Sequence, residues 1–137
     1  MMDKKNKILV CSKDLVLSFK IKSYLEEKGL HVLDLISSGD ELIEATLNFY
    51  PSLIITDITL RGEIDGIETI SRISGITKIP YIFITDNTDQ ISLIQSYYLY
   101  PVKVFTKPID FDELYFFVND SIGFSQDAHH NSSYFLG

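Results

Sequence analysis

The segment Leu53–Asp57, with the sequence LIITD, is an apolar run of strand length that ends on a single acid. A short unbroken apolar run is typical of a strand buried on both faces, as in a parallel sheet. Gly62 and Gly66 lie in the loop that follows, and a helical spacing of apolar residues begins at Ile67. Open α/β sheets carry their functional groups at the carboxyl ends of the strands. Asp57 is therefore the first candidate for a functional residue.

Four further apolar runs have strand length, and helical spacing of apolar residues recurs between the runs. Ser38 and Glu41 have the spacing of a capping box, which predicts where the second helix begins. Five strand-then-helix units predict an α/β fold, a doubly wound parallel sheet with helices on both faces. The other predicted strands are residues 8–11, 32–36, 81–85 and 103–106, and the predicted helices are about residues 14–28, 38–47, 67–73, 88–98 and 114–122.

The chain length predicts one domain, because 137 residues are enough to bury a single core. We place this domain at residues 1–122. From Gly123 the apolar periodicity stops, so residues 123–137 are expected to form a C-terminal tail, with no output domain after it.

Composition and charge exclude several classes of function. The formal net charge is −7 and the pI is about 4.8, which argues against a nucleic-acid surface and against binding to anionic membranes. No apolar run approaches the ~20 residues of a membrane-spanning helix. The single cysteine, Cys11, cannot form an internal disulfide, which favours a cytoplasmic location.

Polar and charged residues follow four of the predicted strands, and in a doubly wound sheet those strand ends face one crevice. An aspartate, a hydroxyl and an ammonium group at one edge can together support phosphoryl transfer to the aspartate carboxylate. Asp57 would be the nucleophile, while Thr85 and Lys107 would stabilise the charge of the phosphoryl group. The residues expected at this edge are Ser12, Lys13, Asp14, Asp57, Thr85, Asp86 and Lys107.

Motifs along most of the chain belong together in one known family. They are ILV at 8–10, SSGDE at 37–41, LIITD at 53–57, ITLRG at 58–62, DGIE at 65–68, IP at 79–80, IT at 84–85 and TKP at 106–108. On these motifs the chain resembles the receiver domain of two-component response regulators, over about residues 7–122. The resemblance implies a flavodoxin-like (βα)5 sheet with strand order 2-1-3-4-5.

The resemblance also implies roles for single residues. Asp57 would accept a phosphoryl group from a sensor histidine kinase, Thr85 would be the switch hydroxyl and Lys107 the lysine that senses the phosphate. Asp57 and the backbone carbonyl of Thr59 would bind Mg²⁺. Such a protein is a signalling domain rather than an enzyme, and it would act on a downstream protein or a second copy through the face formed by its fourth and fifth helices.

The sequence departs from the family at the metal site. Receivers hold Mg²⁺ with two adjacent acids after the first strand, whereas Ser12 and Lys13 occupy those positions here and Asp14 follows one place later. Mg²⁺ prefers carboxylate and water oxygens, so an ammonium is a poor substitute. Three readings stay open. Asp14 completes a Mg²⁺ site, or Lys13 reaches Asp57 as a fixed cation that either replaces the metal or blocks the phosphoryl group, or Lys13 is a solvated lysine at the start of the helix.

Two further departures concern the switch. Asp86 stands where a small residue usually follows the threonine, and its carboxylate would repel an incoming phosphoryl group. Val104 stands where receivers carry a switch aromatic, and the neighbouring Phe105 is predicted to point to the opposite face of the sheet.

These departures keep alternative functions open. The first is a pseudo-receiver that binds partners without phosphorylation. An aspartyl-nucleophile phosphatase would want a second acid at position 59, which is Thr59. A flavodoxin-like FMN binder would want a glycine-containing phosphate loop after the first strand, and residues 12–14 contain none.

Overall fold

The computed structural model describes residues 7–86 and 90–126. Strands and helices alternate along these residues, as the apolar patterning predicts. The elements are β1 (Lys7–Cys11), α1 (Leu15–Glu27), β2 (His31–Ile36), α2 (Gly39–Phe49), β3 (Leu53–Asp57), α3 (Gly66–Ser74), β4 (Tyr81–Thr85), α4 (Gln90–Tyr97), β5 (Lys103–Thr106) and α5 (Phe111–Gln126).

The five strands form one parallel sheet in the order β2-β1-β3-β4-β5, which confirms the predicted topology. Strand β3 is central, and all five of its residues are buried. The register brings the carboxyl ends of the inner strands level, since Cys11 pairs with Thr56 and Asp57 pairs with Ile84. Residues that follow β1, β3, β4 and β5 therefore emerge at one edge.

Each face of the sheet packs its own apolar cluster, because alternate residues of a strand point to opposite faces. In β3, Leu53 and Ile55 pack toward α1 and α5, while Ile54 packs toward α2 and α3. The same alternation separates Phe105 from Val104 in β5, as predicted. Burying one such side chain contributes about 1.5–3 kcal/mol, so the two clusters hold the strand ends in place from both sides.

The loop after β3 folds back tightly under the strand. The amide of Gly66 donates to the carbonyl of Ile58 at 2.7 Å, and a Cβ at position 66 would lie 2.2 Å from the backbone oxygen of Asp57. Helix α3 then begins with Asp65 as its N-cap, since the Asp65 Oδ1 accepts from the amide of Glu68 at 2.8 Å. The short loop thus places the start of α3 directly beside Asp57.

Helix ends agree with their sequence signals except at the last helix. Ser38 caps α2, as its capping-box spacing predicts, and its Oγ accepts from the amide of Glu41 at 3.2 Å. Helix α5 continues to Gln126, so the expected boundary after Ile122 falls inside the helix. Glycine in a helix interior costs only about 1 kcal/mol relative to alanine. Burial of the preceding residue, Ile122, offsets that cost.

The remainder of the expected tail, residues 127–137, and the expected start of the fourth helix at residues 88–89 lie outside the described residues. Within the described parts of the chain, no helix has the length and apolar character that crossing a membrane requires.

Candidate functional site

Asp57 ends the central strand and is only 3% exposed, yet its carboxylate is held by two donors. The Oγ of Ser12 donates to Asp57 Oδ2 at 3.1 Å, and Nζ of Lys107 donates to the same oxygen at 2.8 Å. A buried carboxylate is stable only when it is paired and hydrogen-bonded. The structure supplies both kinds of partner from the two strand ends that the parallel register brings near β3.

Lys107 bridges two carboxylates. Its Nζ lies 2.8 Å from Asp57 Oδ2 and 3.3 Å from Asp86 Oδ1, and its amide donates to the carbonyl of Thr85 at 2.9 Å. Desolvation by burial is the largest single influence on the pKa of Lys107 and lowers it, but the hydrogen bonds and charges of Asp57 and Asp86 together outweigh it. The pKa of Lys107 is therefore raised, and its ammonium group stays charged across the neutral range.

Ser12 is fully buried and fixed on three sides. Its amide donates to the carbonyl of Ile36 at 2.8 Å, which continues the β1–β2 ladder by one residue. Its hydroxyl oxygen accepts from the amide of Asp14 at 3.0 Å and donates to Asp57. A backbone amide can only donate and a carboxylate can only accept, so the direction of both hydrogen bonds is determined.

Among the described residues, the other two side chains after β1 are not partners of the Asp57 carboxylate. The side chain of Lys13 is exposed, and in residues 7–86 and 90–126 it forms no ion pair with Asp57. Asp14 is the N-cap of α1, and its Oδ1 accepts from the amide of Leu17 at 3.1 Å. The exposed Asp14 carboxylate thus serves the helix end, which is a common role for aspartate.

Thr85 and Thr59 complete the set of predicted site residues. Thr85 ends β4, is 5% exposed and pairs in register with Thr106. Thr59 follows Asp57 by two residues, in the loop before α3, and its side chain is exposed. The structure therefore gathers Asp57, Ser12, Lys107 and Asp86 through direct contacts, with Thr85 on the adjoining strand end.

The donor set at Asp57 does not fit Mg²⁺. The ion prefers several oxygen ligands, chiefly carboxylates and waters, in octahedral geometry. Oδ2 of Asp57 is already occupied by a hydroxyl proton and an ammonium group, and Asp14 is engaged at the helix end. Among the described residues, no three His, Cys, Asp or Glu side chains converge closely enough to hold a metal ion.

The direct contact between Ser12 and Asp57 is the feature that sequence reasoning missed. The sequence predicts Ser12 at this edge only as the residue at a usually acidic position, and it leaves open whether Lys13 or Asp14 acts on Asp57. A signal was available, because a residue that extends β1 by one position lies level with Asp57 when Cys11 pairs with Thr56. A small polar residue at that point can reach the carboxylate, whereas the next residue turns away from it.

Aromatic residues lie at the edge of the domain beside β5. Phe105 stacks edge-on against Phe117, with ring centroids 6.0 Å apart. Of the three consecutive aromatics of α5, Phe116 is exposed at 62%, as expected for three neighbours that cannot share one buried face. Large exposed rings also occur at and after the end of α4, at Tyr97, Tyr98 and Tyr100.

The comparisons with known proteins agree with one another. The model of the response regulator receiver domain family matches residues 8–119. "Probable transcriptional regulator ycf29" of Pyropia yezoensis is 29% identical over 119 residues, which are 85% of this chain and 53% of that protein. Its namesake from Porphyra purpurea is 32% identical over 110 residues, which are 78% of this chain and 52% of that protein. The chain thus spans about half the length of these curated relatives.

A solved structure is also similar to this chain. A two-component response regulator from Clostridium difficile has a TM-score of 0.77 and 27% sequence identity to this chain. The match covers 85% of this chain and 94% of that one.

Proposed function

The chain belongs to the response regulator receiver domain family, and we propose that it acts as a phosphoacceptor in two-component signalling, with Asp57 as the residue that is modified. The observation that carries this proposal is the contact of 2.8 Å between Lys107 Nζ and the buried carboxylate of Asp57. Receiver domains work with histidine kinases, so the proposed donor is the phosphohistidine of a sensor kinase. The reduced Cys11 is compatible with a cytoplasmic place of action.

The proposed reaction is one nucleophilic substitution at phosphorus. A carboxylate oxygen of Asp57 forms a bond to phosphorus, the bond from phosphorus to the histidine nitrogen breaks, and the electron pair stays on the nitrogen. Negative charge then accumulates on the phosphoryl oxygens. The ammonium of Lys107 lies within reach of that charge, and the Thr85 hydroxyl on the adjoining strand end is the proposed second donor.

The signal is proposed to reach a partner protein through exposed aromatic side chains at the end of α4 and on α5. Tyr97 at the end of α4, Tyr98 directly after it and Phe116 on α5 are each more than half exposed. Exposed aromatic side chains are enriched where proteins bind each other. Nζ of Lys103 on β5 lies 5.2 Å from the ring centroid of Phe117 on α5, so a displacement of β5 would change the packing of α5. The proposed partner is a downstream protein or a second copy of the chain.

A second candidate function is a pseudo-receiver that binds partners without being phosphorylated. The observation that favours it is Asp86, whose carboxylate lies 3.3 Å from Lys107 Nζ. An exposed carboxylate there competes with an incoming phosphoryl group for the same ammonium and repels its charge.

Intact mass spectrometry after incubation with acetyl phosphate tests the proposal. Wild type is expected to gain one phosphoryl group, and Asp57→Asn is expected to gain none. The control Asp34→Asn removes an exposed aspartate on β2, an edge strand that supplies no side chain to the site, and is expected to behave as wild type. If wild type gains no mass with acetyl phosphate or with a panel of phosphorylated kinases, the pseudo-receiver becomes the better account.

A further inference from the structure

The two oxygens of the Asp57 carboxylate have different surroundings. Within the described part of the chain, both donors that reach this carboxylate contact Oδ2, one from Ser12 and one from Lys107. Hydrogen bonds with a charged partner are shorter and stronger than neutral ones, so they hold the oxygen that accepts them and stabilise its negative charge. Oδ2 is thereby the anchored oxygen, and Oδ1 is the one left to react.

Ser12 is built to be a donor at this point. Its oxygen accepts from the amide of Asp14 at the start of α1, so its single proton is directed at Asp57. The backbone hydrogen bond from Ser12 to Ile36 fixes the main chain at this point, and the side chain is fully buried beside Asp57. The interaction therefore ties the acceptor carboxylate to both a neighbouring strand and a helix end.

We propose that Ser12 is a positioning residue that takes the place of a metal ion at Asp57. Its hydroxyl, together with the ammonium of Lys107, holds Oδ2 in place, so that Oδ1 is the nucleophile and phosphoryl transfer needs no divalent cation. This inference rests on the proposed function, since it concerns how Asp57 accepts the phosphoryl group. It assigns the cationic role to Lys107 and the orienting role to Ser12, rather than to Lys13 or Asp14.

The step balances without a further reactant. Oδ1 forms the bond to phosphorus, and the bond to the donor's nitrogen or oxygen breaks with its electron pair. Oδ2 becomes the carbonyl oxygen of the acyl phosphate and keeps its hydrogen bond from Ser12. The negative charge moves to the phosphoryl oxygens, and Lys107, at 2.8 Å from Oδ2, is close enough to follow it.

Direct measurement of Mg²⁺ binding tests the inference independently of phosphorylation. Isothermal titration with MgCl₂ is expected to give the same weak binding for wild type and for Asp57→Asn. Ser12→Asp places a second carboxylate beside Asp57 and is expected to bind Mg²⁺ at least ~10-fold more tightly than wild type. The matched control Ser71→Asp adds the same charge on the exposed face of α3 and is expected to bind as wild type.

The rate of phosphorylation tests it a second time. With acetyl phosphate, the wild-type rate in EDTA and in MgCl₂ is expected to agree within about 2-fold, a difference too small to need a bound ion. Ser12→Ala is expected to lose at least ~10-fold in rate under both conditions, because Oδ2 is then held by Lys107 alone. Ser71→Ala is the control and should keep the wild-type rate.

Two outcomes overturn the inference. One is binding of Mg²⁺ to wild type that Asp57→Asn abolishes, a comparison that involves no change at Ser12 and so does not depend on folding of the Ser12 variants. The other is a wild-type rate that rises ~10-fold or more with MgCl₂. If no variant is phosphorylated at all, the proposed function fails, while the Mg²⁺ titration still decides whether Ser12 and Lys107 exclude the ion from Oδ2.

Discussion

Lys107 is the residue on which the charges of the site converge. Its ammonium contacts a buried carboxylate, that of Asp57, and an exposed one, that of Asp86. The two contacts contribute differently to the free energy of unfolding. An exposed ion pair contributes little, whereas removing one partner of a buried pair leaves an uncompensated charge. Lys107 therefore matters to the folded state mainly through Asp57.

The pH dependence of stability is the prediction that belongs to this residue. Because the folded protein raises the pKa of Lys107, its contribution is fully present below the ordinary lysine pKa of ~10.4 and is lost as pH rises through the folded value. Lys107→Gln is expected to lower the free energy of unfolding by about 1–3 kcal/mol near neutral pH. The difference from wild type should shrink above pH ~10.4.

Urea denaturation of wild type and Lys107→Gln at a series of pH values measures the difference in their free energies of unfolding. Subtraction removes the effect of tyrosine ionisation, because that effect is common to the two proteins. The control Asp86→Asn removes the exposed carboxylate and should change stability by less than about 1 kcal/mol. A difference between wild type and Lys107→Gln that stays constant through alkaline pH would contradict the assignment.

At the scale of elements, the turn from β3 into α3 is the tightest connection around the site. The amide of Gly66 bonds to Ile58, and the chain passes so close to the carbonyl of Asp57 that no side chain fits at position 66. The DGIE motif at 65–68 is thus explained by packing and capping: the glycine allows the approach and Asp65 caps the helix. Any widening of this turn would move Asp57 away from Ser12 and Lys107.

Gly66→Ala is accordingly expected to destabilise the protein by at least about 2 kcal/mol, because its Cβ would meet a backbone oxygen that cannot move independently. Gly123→Ala is the matched control: position 123 lies in α5 with no atom within 4 Å of the added Cβ, so the change should stabilise by about 0.5–1 kcal/mol. Midpoints of urea denaturation measure both. Equal midpoints for the two variants would show that the close approach at Gly66 is not maintained in solution.

Some features of the helices and strands are predicted correctly by the sequence pattern, and one helix end is not. Capping-box spacing at Ser38 predicted the start of α2, and alternation in β5 predicted that Phe105 and Val104 face opposite sides. Helix α5 runs past its predicted end, because Gly123, where the apolar periodicity stops, lies inside the helix. The helix continues since its buried residues Ser121 and Ile122 fix the turn that precedes the glycine.

At the scale of the whole molecule, the order β2-β1-β3-β4-β5 separates a stable centre from two edges. Strand β3 is buried along its whole length, whereas β5 is an edge strand whose end residue, Thr106, is exposed. The site therefore combines Asp57, the proposed acceptor, on the most buried strand with a lysine that follows an edge strand. We therefore expect the end of the site that holds Lys107 to open more readily than the end that holds Asp57.

Hydrogen exchange is expected to reflect this division. Amides of residues 53–57 should exchange only through global unfolding, and amides of residues 103–106 should exchange faster, through opening of the edge. Exchange followed by NMR, with destabilisation by low urea to separate local from global opening, measures the two classes. Equal protection of β3 and β5 would contradict independent opening of the edge strand.

The sequence by itself determined the alternation of strands and helices, the membership of the family, and the positions of Asp57, Thr85 and Lys107 at strand ends, because these follow from local patterns of apolar residues and motifs. Their roles in phosphoryl transfer stay predictions. Only the tertiary structure decided which neighbours hold the Asp57 carboxylate. Ser12 and Asp57 are 45 residues apart, and Lys107 and Asp57 are 50 apart. Lateral strand register, which comes from hydrogen bonds between distant segments, selects Ser12 over Lys13 and Asp14.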